Sequence, residues 1–198
     1  MIKSKAERTK QFIIEKTAPI FNAKGYVGTS MHDITEATGL TKGSIYGNFD
    51  NKDEVALEAF DYNYSLIVSY LRKQVEVRPN MIDRLLVYPD TYRIFLELPI
   101  LKAGCPILNT STEADDTHPL LRAKAIKALS FWKKAIEKSI SIGIERNEIK
   151  VSANANEFSY ILMSLIEGAV MQAKVTGSSE VLKVTMDYLE RMINDLKA

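Results

Sequence analysis

Between Thr29 and Lys52 the apolar residues fall at helical intervals in two short bursts separated by a glycine. Met31, Ile34 and Ala37 recur at i, i+3, i+6, and after Gly39 a second burst sets Ile45 and Phe49 four residues apart. Ser30 or Thr29 is the predicted cap of the first helix. Gly39 is its predicted end, because a helix C-terminus favours a residue that tolerates positive φ. Thr41 is the predicted cap of the second helix, in which Lys42, Ser44, Tyr46 and Asn48 point away from the buried pair. Asn51 with Glu54 three residues on has capping-box spacing and opens a third helix. A helix as short and polar as the second is marginal alone, so its neighbours must hold it and its exposed face is what it offers. Two short helices about a glycine turn, followed at once by a third, have the layout of a helix-turn-helix DNA reader.

Upstream, Ile13, Ile14, Thr17, Ala18 and Phe21 share one face of a helix predicted from Lys5 to Lys24, the floor on which the reader sits, and Gly25 ends it. Pro19 predicts a bend near Glu15 to Pro19 or an early break, since an internal proline removes one backbone hydrogen bond. A longer helix from Lys52 to Glu76 leads out through Ala56, Phe60, Tyr64, Ile67 and Leu71. Period-two alternation is scarce beyond it, and the pattern predicts further helices over 80–87, 90–102, 107–114, 119–146, 154–175 and 178–196. The fold class is therefore all-α, with a DNA-binding domain at 1–51 and a C-terminal helical bundle at 52–198. Two apolar stripes close the chain: Phe158, Ile161, Leu162, Leu165 and Ala169, then Val181, Thr185, Tyr188, Leu189, Met192 and Leu196.

The formal charge is only +1, so affinity for nucleic acid must come from charge placed locally, as in the arm carrying Lys3, Lys5, Arg8 and Lys10. A single cysteine, Cys105, excludes an internal disulfide framework and fits a reducing compartment. Charged residues and prolines break the apolar runs well short of the roughly 20 residues needed to span a bilayer, and no leader pattern is evident. A soluble, cytoplasmic protein without membrane association is the expectation.

Lys10 through Phe60 resembles the DNA-binding region of the TetR (tetracycline-repressor) family of bacterial transcriptional regulators. The run FNAKGYVGTSMHDITEATGLTKGSIYGNFDNKDEV carries the likeness: an F-x-x-K-G-Y helix end, a T-S cap, an I-x-x-x-x-G helix, then K-G-S-I-Y-x-x-F before N-K-x-E. The resemblance implies that Lys42, Gly43, Ser44, Tyr46, Gly47 and Asn48 face the major groove or its flanking phosphates. It implies phosphate contacts for Thr29, Ser30, Thr41 and Lys52. Gly47 departs from the bulky residue frequent in the family, removing one possible base contact. The resemblance also implies a homodimer matching two half-sites of double-stranded operator DNA, with the last two helices as its interface, and a small-molecule effector that shifts the protein away from DNA.

Phe95, Cys105, Trp132, Met163, Glu167 and Met171 are the candidate effector-pocket residues, being aromatic, soft, or polar within an apolar helix. Gly104 to Leu121 resembles the start of the regulatory domain in some branches of the family. Its Glu113, Asp116 and His118 could be weighed as a metal site, but Pro119 after His118 favours a helix start with Asp116 or Thr117 as cap, and no metal or other cofactor is expected. Cys105, beside Pro106 in apolar sequence, is expected buried and inert rather than redox-active. No hydrolase, phosphate-loop or zinc-protease motif is present, so catalysis is not expected. The alternative function is an all-α binding protein for a small molecule or partner, with a vestigial reader.

Overall fold

The N-terminal helices begin where a side chain can accept their unpaired amides. Helix α1 (Lys5–Gly28) starts at Ser4, whose hydroxyl accepts from the Glu7 amide while the Glu7 carboxylate accepts from the Ser4 amide. The computed structural model describes residues 4–198, and Lys3 of the basic arm lies outside them. Regular helix stops at Gly25 (φ 73°, ψ 179°), the end the sequence predicts, and a short helical turn follows. The early break considered at Pro19 does not occur. The Glu15 carbonyl that Pro19 cannot serve lies on an exposed stretch, where water can satisfy it.

Helix α2 (Met31–Thr38) is capped by Ser30 and Asp33 and ends at the left-handed Gly39 (φ 66°). Helix α3 (Lys42–Tyr46) is capped by Thr41, and α4 (Lys52–Glu76) by Asn51, which accepts from the Glu54 amide at 2.9 Å. Then follow α5 (Met81–Arg93), 3-10 turns at Phe95–Glu97 and Pro99–Leu101, α6 (Pro106–Ala114), α7 (Pro119–Glu145), α8 (Ala155–Thr176) and α9 (Glu180–Asn194). Among the described residues the remaining regular pairing is one isolated β-bridge, Ile149 with Lys197.

Two expected boundaries move. Helix α5 continues through Pro89 to Arg93 instead of stopping near Val87, because Tyr88, Pro89, Thr91 and Tyr92 are all buried and packing outweighs the missing amide. The helix expected over 90–102 is accordingly the end of α5 and the two 3-10 turns. The cap of α7 is neither Asp116 nor Thr117 but His118, whose Nδ1 accepts from the Leu121 amide at 3.2 Å.

The chain divides into two compact units, and the division does not fall at residue 52. The first comprises the described residues through Leu66 with Ala103–Ile126; the second comprises Ile67–Lys102 with Lys127–Ala198. Both α4 and α7 contribute a stretch to each unit. Residues 103–126 belong with the reader for a specific reason: the Asn22 amide donates to the Gly104 carbonyl (2.9 Å), and the Asn109 amide donates to the Asn22 carbonyl (2.9 Å). These bonds join positions more than 80 residues apart, beyond what local periodicity can report.

The core of the first unit gathers Ile13, Ile14, Ala18 and Phe21 from α1, Ile34 from α2, Ile45 and Phe49 from α3 and its exit, and Val55, Ala56 and Ala59 from α4. In the second unit α9 packs along α5 and α8 through Leu182, Met186, Leu189 and Ile193, all fully buried. Arg93 of α5 binds Asp187 and Glu190 of α9. Among the described residues no helix is long and apolar enough to cross a membrane.

Gly25 and Gly39 both need positive φ, but Gly25 lies where glycine alone is common. A Cβ there would fall 2.4–2.6 Å from the Glu113 carboxylate, whereas one on Gly39 meets nothing within 4 Å. Gly25→Ala should cost about 1–3 kcal/mol, and Gly39→Ala about 1 kcal/mol. Urea unfolding at fixed chain concentration checks the order.

Candidate DNA interface and effector region

The reader surface is built from the burial of its opposite side. Ile45 is fully buried and Phe49 nearly so, which fixes α3 with Lys42, Gly43 and Tyr46 outward. Tyr46 is 40% exposed, and the Lys42 ammonium lies 5.8 Å from its ring centroid. Nothing crowds Gly43: an added Cβ would meet only the Thr41 hydroxyl at 3.9 Å, so the fold leaves open the room that close backbone approach to a phosphate requires. Gly47 is exposed with right-handed backbone (φ −76°), and a Cβ would make ordinary contacts with the Gly43 and Ser44 carbonyls. The fold therefore does not demand glycine at 47.

Several sequence-chosen residues are already engaged. Thr29 is fully buried and its hydroxyl donates to the Gly25 carbonyl at 2.6 Å, so its side chain holds the turn and is not presented to a phosphate. Asn48 donates its amide to the Ser44 carbonyl at 2.9 Å, which leaves its oxygen for an outside donor. Ser30 and Thr41 serve as caps at the exposed helix starts, accepting from the Asp33 and Ser44 amides. Ser44 is half-buried. Lys10 does not act as a free arm charge: its ammonium is 2.7 Å from Glu54 and lies over the Phe49 ring at 4.8 Å.

Lys52 opens α4 with its ammonium 4.3 Å from the Tyr26 ring centroid. Around that ring stand residues that periodicity could not nominate. The Tyr26 hydroxyl donates to Asp53, a bond that, with burial, pushes the phenol up to about 12. His118 meets the ring edge-on at 4.5 Å. Glu113 accepts from the Tyr26 and Val27 amides at 2.8 and 2.9 Å. Glu113 and His118, weighed from sequence as metal ligands, are thus an amide clamp and a helix cap. Among the described residues no group of three or more His, Cys, Asp or Glu side chains converges as a metal site would require.

Of the candidate effector residues, Phe95, Trp132, Met163, Glu167 and Met171 fall in the second unit and Cys105 in the first. Phe95, Trp132 and Met163 are buried, Glu167 is half-buried, and Met171 is 52% exposed. Tyr92 stacks on both Phe95 (6.3 Å) and Trp132 (6.2 Å), and Tyr88 tilts against Trp132 at 6.1 Å. The Trp132 indole N–H is buried without a hydrogen-bond acceptor. Cys105 is buried at the start of α6 and contributes to the raised titration of Tyr64, which burial chiefly sets and which reaches about 12.

Residues 13–59 match the model for bacterial regulatory proteins of the tetR family, and residues 81–189 match the tetracyclin repressor-like C-terminal domain. The chain belongs to the TetR family, and with the helix-turn-helix just described it is a DNA-binding transcriptional regulator. A TetR-family regulator from Cytophaga hutchinsonii has a solved structure that is 42% identical, with a TM-score of 0.94 and coverage of 100% of this chain and 99% of that one. Another from Chloroflexus aurantiacus is 33% identical, covers 98% of both chains and has a TM-score of 0.93. The HTH-type transcriptional repressor DhaR of Mycobacterium sp. (strain GP1) is 26% identical over 87% of this chain and 86% of its own length.

Hydrogen bonds hold two capping carboxylates below the usual carboxylate range: Asp33 through the Lys24 ammonium and Ser30, Glu54 through the Lys10 ammonium and the Asp50 amide. A depressed folded-state pKa stabilises above the unfolded value and is lost as pH falls. Thermal unfolding of the reader should therefore shift downward on acidification below about pH 4.5, the ordinary range of these groups. Lys10→Met should weaken that dependence, read by circular dichroism across a pH series.

Proposed function

We propose that the chain is a cytoplasmic homodimeric repressor that reads operator DNA with α3, anchors on phosphates through Ser30, Thr41 and Lys52, and leaves the operator when a small molecule occupies the second unit. The observation that carries this reading is the division of labour on α3, where Ile45 is sunk in the core while Lys42, Gly43 and Tyr46 face outward. The repressor function of DhaR supports the sign of the regulation. The aromatic group of Tyr88, Tyr92, Phe95 and Trp132, with the spare indole donor, supports an effector that is planar and carries a hydrogen-bond acceptor.

The apolar surface left for a second copy differs in detail from the stripes named from sequence. Phe158, Leu162, Ala169 and Leu189 are consumed inside the second unit. Their neighbours are not: Ile161, Met171 and Val175 on α8, and Val184 and Tyr188 on α9, line up at helical spacing and remain exposed. Apolar faces of this kind on adjacent helices favour a second copy as the partner.

The full chain should sediment as a dimer at micromolar concentration and select a two-half-site duplex from a random library. Val184→Glu, at a position 63% exposed, should yield a folded monomer with weakened operator binding. Tyr46→Ala should relax base preference, at a cost of roughly 1–3 kcal/mol on the preferred duplex. A monomeric parent overturns the assembly, and failure to enrich any duplex returns the chain to a binding protein with an idle reader.

A further inference from the structure

A lysine as the first residue of a helix sits against the macrodipole, since the unpaired amides there carry partial positive charge. Lys52 is so placed, and its ammonium is offset by the π-face of Tyr26 at 4.3 Å. Tyr26 is held by three contacts, two of them on its ring. Its hydroxyl donates to Asp53, the residue after Lys52. Its backbone amide and that of Val27 are both held by the Glu113 carboxylate, at 2.8 and 2.9 Å. It makes a T-shaped contact with the His118 imidazole, ring centroids 4.5 Å apart at 78°. Because His118 Nδ1 accepts from the Leu121 amide, the neutral imidazole carries its proton on Nε2, the nitrogen 3.9 Å from Asp53. Glu113 and His118 come from residues 103–126, outside the three-helix reader.

We propose that Tyr26 is the positioning residue for the phosphate-binding ammonium of Lys52, and that Glu113 and His118 set where its ring stands. The proposal rests on the reading of Lys52 as a phosphate contact. Tyr26 touches no DNA in this account: it holds the ammonium at the start of α4, where the helix's own free amides face the same anion, so charge and amides meet one phosphate together. A shift of 103–126 would then move Lys52 without any change in α3.

The test uses the full chain and a duplex it selects from a random library, with affinity measured across a salt series. Lys52→Ala should weaken binding and lower the log–log salt slope by roughly one unit. Tyr26→Leu should weaken binding roughly fivefold and lower the slope in the parent, yet cost nothing further in the Lys52→Ala background. Tyr26→Phe, which keeps the ring face, should restore most of the affinity. Equal losses from Tyr26→Leu in both backgrounds would reduce Tyr26 to a packing residue and overturn the proposal, while an unchanged Lys52→Ala would sink the phosphate reading itself and the positioning role with it. Should Tyr26→Leu not fold, the unmodified chain still decides: the Lys52 side-chain methylenes next to the ammonium should show an upfield ring-current shift by nuclear magnetic resonance, and their absence from that region overturns the proposal.

Discussion

The reader depends on the burial of Ile45 and Phe49. A five-residue helix cannot recover its own nucleation cost, so α3 exists because these two side chains are sunk among Ile13, Phe21, Ile34 and Val55. That burial fixes the rotation of α3 about its axis and so decides which residues face outward. Lys42, Gly43 and Tyr46 face outward because Ile45, on the opposite side of the turn, is buried.

Helix ends supply the second organising constraint. Ser4, Ser30, Thr41, Asn51, Asn80 and Asn154 each accept an otherwise unpaired amide, and His118 does the same for α7. In the reader these caps are tied to cations, Lys24 with Asp33 and Lys10 with Glu54. The same carboxylates that start the helices therefore also consume nearby positive charge. Among the described residues of the reader, Lys10 and Lys24 are therefore held in ion pairs, while Lys42 is exposed.

The two-unit organisation changes how regulation can be pictured. A regulatory domain beginning at residue 52 would have to act through α4 alone. Instead 103–126 is part of the reader's own unit, through Asn22 with Gly104, Asn109 with Asn22, and Glu113 with the amides after Gly25. Both α4 and α7 contribute a stretch to each unit, so the division runs within these helices and not at a loop.

The sequence by itself determined the all-α class, the helix-turn-helix, the caps at Thr41 and Asn51, the ends at Gly25 and Gly39, and the buried pair Ile45 and Phe49, but left the cap of α2 open between Thr29 and Ser30. Each is written within about four residues, as a periodicity, a cap or a turn. Only the tertiary structure decided that Thr29 turns inward, that Lys10 is spent on Glu54, that α5 runs through Pro89, and that Glu113, His118, Asp53 and Tyr26 surround Lys52. It also decided which side of α9 faces inward, where two neighbouring apolar stripes compete and Leu182, Met186, Leu189 and Ile193 are the ones buried. Apart from Thr29, whose hydroxyl reaches back only to Gly25, those outcomes rest on partners tens of residues away, and local spacing carries no record of a contact that exists only once distant segments have packed.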